Sequence, residues 1–113
     1  MKVTFATAAS GRSYFEKFLM DLSVRDRAVI LAVFQDVREH GLGAKGCEFR
    51  QIERKLWEVK VRAPTGGYRF FYVLLSAEHL HVLHSYKKQG QKAPTSELEI
   101  ARKRLKEILS HES

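Results

Sequence analysis

A chain of 113 residues fits one domain, expected to run over residues 1–113, and should bury roughly two thirds of its unfolded surface without disulfide or metal staples. Its 44% hydrophobic and 29% charged residues exclude wholesale disorder, and the single cysteine, Cys47, excludes a disulfide framework and a paired-cysteine metal site. Twenty Lys and Arg against 13 Asp and Glu give a net charge of +7, which points to nucleic acid, a ribosome or an acidic protein as partner unless it serves only solubility.

The stretch after Lys2, residues 3–9, is too short and too mild for a membrane span or a convincing signal peptide, so a cytoplasmic protein without membrane contact is expected. Residues 2–7 alternate weakly around Val3 and Phe5 and predict a short strand. Ser13 with Glu16 reads as a capping box opening a helix, whose Phe15, Phe18, Leu19 and Leu22 share one face. Ser23 and Asp26 restart the signal for a longer helix, with Ile30, Val33, Phe34 and Val37 inward and Gly41 as its stop. A tight turn makes the two helices an antiparallel pair.

Residues 41–54, with three glycines and then mixed charge, read as loop. Residues 56–62 alternate cleanly, Trp57, Val59 and Val61 on one side and Glu58, Lys60 and Arg62 on the other. After a turn at 63–67, residues 68–75 are apolar on both faces except for Arg69, as in a central strand. A second turn at 76–78 leads to a third strand over 79–86. Pro94 then stops the sheet, and Ser96 with Glu99 predicts the start of a last helix with Leu98, Ala101, Leu105 and Ile108 buried. Arg102, Lys103, Arg104 and Lys106 read mostly as its solvated face. The fold class is α+β: an antiparallel sheet, made of a short N-terminal strand plus a three-strand meander, with two N-terminal helices and one C-terminal helix against one face.

Arg69 stands out because a permanent charge among Tyr68, Phe70, Phe71 and Tyr72 needs an anionic partner. That partner is either a structural carboxylate such as Glu58 or a ligand. If the preceding turn has an even number of residues, Lys60 and Arg62 fall on Arg69's face, and two or three cations on one sheet face suit a phosphate. Residues 84–92, rich in lysine beside Tyr86, suit phosphate contact and base stacking, or are simply an exposed basic loop. His84 and Tyr86 share a strand face and are candidates for acid–base work, or are satisfied core groups. His79 and His81 share the other face, with no carboxylate or cysteine set to complete a metal site. Trp57 reads as core and Cys47 as inert.

Four ordered blocks carry a resemblance: Leu56-Trp57-Glu58-Val59-Lys60-Val61; Gly67-Tyr68-Arg69-Phe70-Phe71-Tyr72; Leu83-His84-Ser85-Tyr86-Lys87-Lys88-Gln89-Gly90-Gln91-Lys92-Ala93-Pro94; and residues 97–105. Together they resemble the HigB-like, phage-derived branch of the RelE/ParE toxin superfamily. The resemblance implies a RelE-like fold and a cytoplasmic type II toxin, monomeric when free and neutralised by a small helix-turn-helix antitoxin. It implies a ribosome-dependent messenger RNA endonuclease using no metal or other cofactor, in which the 2′-hydroxyl attacks the adjacent phosphate to leave a 2′,3′-cyclic phosphate. Lys60, Arg69 and Lys88 match the family's cationic positions, and His84 or Tyr86 is expected to move protons. Arg62, Lys87 and Lys92 are expected to hold RNA. Glu58 replaces a lysine of RelE, Gln89 and Ala93 replace a common Lys and Thr, and the last helix has Glu97 near where RelE has a tyrosine. The alternative within the superfamily is a ParE-like toxin that poisons a topoisomerase without cutting RNA.

Overall fold

The computed structural model describes residues 1–90 and 94–112. Strand β1 (Lys2–Phe5) is followed by α1 (Tyr14–Met20) and α2 (Val24–His40). Strands β2 (Glu48–Gln51), β3 (Trp57–Ala63), β4 (Gly66–Ser76) and β5 (His79–Lys87) then precede α3 (Thr95–Glu112). The helix starts follow from the expected caps: Ser13 Oγ accepts the Glu16 amide and Ser23 Oγ the Asp26 amide, each at 3.2 Å. Gly41 ends α2 at a φ of 60°, a conformation open to glycine at little cost.

The five strands lie in the order β1-β5-β4-β3-β2. The meander β3–β4–β5 is antiparallel as expected, but β1 pairs parallel to β5, so the sheet is mixed. The helix pair and strands β2 to β4 separate these two strands in sequence, and alternation within β1 carries no directional information. Strand β2, antiparallel to β3, replaces part of the expected loop. Its Glu48, Arg50 and Gln51 are exposed, and its one apolar residue, Phe49, packs against the core, so backbone pairing rather than hydropathy defines it.

The helices do not share one face of the sheet. Helices α1 and α2 bury Phe15, Leu19, Ile30, Val33, Phe34 and Val37 against Val59, Val61, Tyr68, Phe70 and Tyr72. Helix α3 sets Leu98, Ala101, Leu105 and Ile108 on the opposite face, against Leu56, Phe71, Val73 and Leu83. Because β4 is apolar on both sides, each side needs its own cover, at about 1.5–3 kcal/mol for each large apolar side chain fully buried. Helix α3 packs over β5 and the adjoining part of β4, leaving the same face open over β3 and the start of β4. The helix begins at Thr95, so Ser96 lies inside its first turn rather than at its cap.

Candidate functional site

The β3–β4 register decides which charges meet. Ala63 pairs with Gly66 across a two-residue turn, so Lys60 lies directly opposite Arg69 and Arg62 opposite Gly67. Arg69 in turn faces Tyr86 on β5, and Glu48 on β2 faces Lys60. One row across the sheet therefore reads Glu48, Lys60, Arg69, Tyr86, and the next reads Arg50, Glu58, Phe71, His84.

Lys60, Arg62, Arg69 and Lys88 line one open cleft of about 820 Å³, together with Lys45, Glu48 and the glycine pair Gly66-Gly67. Lys88 reaches the rim because its amide donates to the Gly67 carbonyl at 2.8 Å, extending the β4–β5 pairing past the strand end. Lys60 Nζ sits 3.2 Å from the exposed Glu48 carboxylate. Arg69 is 13% exposed; its Nη1 donates to the Tyr68 carbonyl at 3.2 Å, and its Nε lies 3.7 Å from Glu58. Gly67 makes room for the guanidinium, since a Cβ there would meet Nη1 at 3.2 Å. Glu58 is buried, and its Oε1 also lies 3.3 Å from Arg50 but accepts no well-aligned hydrogen bond. The structural carboxylate expected beside Arg69 is thus present but loosely held beneath it, and Arg69 also lines the open cationic cleft.

His84 and Tyr86 are not in that cleft. A bulge between Phe71/Tyr72 and the facing Val82/His84 puts His84 and Tyr86 on the α3 face. Alternation without a bulge had separated them from His81. Arg104 Nη1 donates to the His84 Nδ1 at 3.2 Å, which requires the neutral tautomer with its proton on Nε2, and that proton points to the Glu97 carboxylate. Burial foremost, opposed by Glu97 and assisted by Arg104, lowers the His84 pKa below the ordinary histidine value. Tyr86 is buried and stacks on Phe71 at 5.6 Å. Burial, then the charge of Glu58, raises its phenol pKa, while Arg69 pulls it down.

One expected RNA contact falls elsewhere. Lys87 points to the α1/α2 face, where its Nζ donates to Thr65 Oγ1 at 2.9 Å and lies 5.6 Å from the Tyr68 ring. Lys88 is the very next residue, and alternation sends the two to opposite faces. Lys92 lies outside the described residues. Arg104 is not solvated: it caps the Leu83 carbonyl at 2.9 Å and stacks 3.5 Å over Tyr14. His79 and His81 each lie 2.7 Å from the Thr4 hydroxyl. Burial and the Asp36 charge push the Cys47 thiol up to about 11, so its inert reading matches a thiol that stays protonated. Arg50, Lys45 and Arg104 were missed in sequence, Arg50 because the strand that aims it carries no alternation.

The model of a family described as phage-derived protein Gp49-like (DUF891) matches residues 17–106. The chain belongs to this family. The matched range holds every described cleft residue and the α3 segment bearing Glu97 and Arg104, so the Gp49-like match spans the site as well as the fold. Among curated proteins none matches the chain. No helix of the described residues is long and apolar enough to cross a membrane.

Proposed function

We propose that the chain is the toxin of a type II toxin–antitoxin pair and cuts messenger RNA on the ribosome. The observation that carries this is the direct pairing of Lys60 with Arg69 in a cleft that also takes in Arg62 and Lys88. Fixed cations side by side bind a phosphodiester and gain most when negative charge builds on it, as when a neighbouring 2′-oxygen attacks phosphorus. In the proposed step the 2′-oxygen bonds to phosphorus, the 5′-oxygen departs, and a 2′,3′-cyclic phosphate and a 5′-hydroxyl result. Tyr86, opposite Arg69 and held protonated, suits donation to the leaving oxygen. Glu97, 27% exposed and oriented at the start of α3 by the proton on His84 Nε2, suits acceptance of the 2′-hydroxyl proton, with His84 as its positioning residue. The association of Gp49-like proteins with toxin–antitoxin pairs and the +7 charge support a cytoplasmic toxin, monomeric when free. Its ligands would be ribosome-bound RNA and an antitoxin of the helix-turn-helix type.

A second reading has its own observation. His84 and Tyr86 are largely buried and outside the cleft, which suits a toxin that grips a polyanion or a topoisomerase without cutting RNA. Induced expression of wild type and Arg69→Ala, with primer extension on cellular messages, separates the two. Translation-dependent cuts lost in the variant support the nuclease. Growth arrest with intact messages and trapped topoisomerase–DNA complexes supports the second reading.

A further inference from the structure

The end of the sheet away from the cationic cleft carries a second concavity that shares no residue with it. Leu56, Leu105 and Leu109 form its floor, and a neighbouring depression that shares Arg54, Lys55 and Leu109 extends it to Trp57 and Leu75. The two together hold about 670 and 280 Å³. Helix α3 forms one wall and the loop before β3 the other. Arg102 locks the walls together through two hydrogen bonds to Glu53, at 2.7 and 3.1 Å.

Charge decides what fits. Among the described residues that line it Glu53 is the only acid, and Arg102 neutralises it, which leaves Arg54, Lys55 and Lys106 exposed around an apolar floor. A second copy of this chain, itself at +7, would bring like charge to the rim. RNA would place phosphates on the rim but find leucines where bases need flat rings. A helix with leucines at i, i+4 and i+7 and carboxylates beside them satisfies both floor and rim, and the α3 wall from Arg102 to Ser110 is about 12 Å long, enough for two of its turns. We propose that this groove docks an acidic amphipathic segment of a partner protein. The inference is independent of RNA cleavage, because the groove and the cleft are separate.

The probe is a labelled synthetic helix with a leucine stripe and glutamates elsewhere, titrated with the full chain by fluorescence polarisation, with the same composition scrambled as control. Saturable binding at least about tenfold tighter than the scrambled peptide is expected. The surface double variant Lys55→Glu with Lys106→Glu should weaken it by at least about tenfold while the circular dichroism spectrum is unchanged. Amide shifts should move at residues 54–57 and 105–110. Equal binding of both peptides, shifts centred on residues 45–48 and 60–67, or binding of anionic lipid vesicles in place of the peptide would each overturn the proposal.

Discussion

Replacing Arg69 by alanine should cost stability as well as function, and the cost follows from Glu58. That carboxylate is 1% exposed and its Oε1 has two cationic neighbours, Arg50 at 3.3 Å and Arg69 at 3.7 Å. Arg50 is 57% exposed and well screened, whereas Arg69 is 13% exposed, so Arg69 supplies more of the field at equal distance. Opposite charges about 4 Å apart attract by about 4 kcal/mol at an effective dielectric constant near 20, before desolvation is subtracted. Breaking a buried pair by removing one partner costs about 3–5 kcal/mol, and the surviving Arg50 should hold the loss to about 2 kcal/mol. For a domain of this size that is a fall in Tm of very roughly 8 °C. Lys60→Ala, which breaks a pair with the 74% exposed Glu48, should cost about 1 kcal/mol at most. Urea unfolding of Arg69→Ala, Glu58→Gln and the double variant gives the coupling between the two positions, expected near 1–2 kcal/mol. Arg69→Ala within about 0.5 kcal/mol of wild type, or a coupling near zero, refutes the reasoning and leaves Glu58 to Arg50 alone.

Three further outcomes follow from single groups. Because the His84 pKa is lower folded than unfolded, the unfolded chain binds more protons between the two values. Stability should be complete above about pH 6.5 and decline as pH falls toward the folded value, and an NMR titration of the His84 ring should shift further downward in Glu97→Gln. An upward shift in that variant would contradict the assigned hydrogen bond. Tyr72 is fully buried with an unpartnered hydroxyl, so Tyr72→Phe should leave thermal stability equal or raise it by about 1 kcal/mol; a loss of that size would mean the hydroxyl is satisfied. Gly67→Ala presses only on the tip of Arg69, so it should fold normally yet weaken binding of a short RNA several-fold by calorimetry. Unchanged affinity would detach Arg69's position from binding.

Much of this molecule is legible because its signals are local. Ser13 and Ser23 cap the helices their spacing marks, and all four residues expected on the inner face of α2 are buried. The Lys60–Arg69 pairing needs only the parity of a turn, and Pro64-Thr65 provides it. What escapes sequence reading is set by tertiary partners. Strand β2 exists because β3 offers a ladder, not because Glu48, Arg50 and Gln51 prefer one. The bulge opposite Phe71 has no residue signature, yet it decides which face His84 and Tyr86 take. One arginine of the basic run on α3 turns inward because Tyr14, ninety residues earlier in the chain, presents a ring to it. The apolar pattern on both sides of β4 calls for cover on both sheet faces, yet the helix order alone leads to all three helices on one face, because which face a helix takes is set by tertiary packing.

The most direct test is translation of a reporter message in a reconstituted system, with purified wild type, Lys60→Ala and Arg69→Ala, reading message ends and their chemistry. Cleavage within the translated region by wild type, leaving 2′,3′-cyclic phosphate ends, absent without ribosomes and sharply reduced in both variants, is the predicted result. Intact message with the wild type, or equal cutting by the folded Lys60→Ala protein, would contradict the cleft's role.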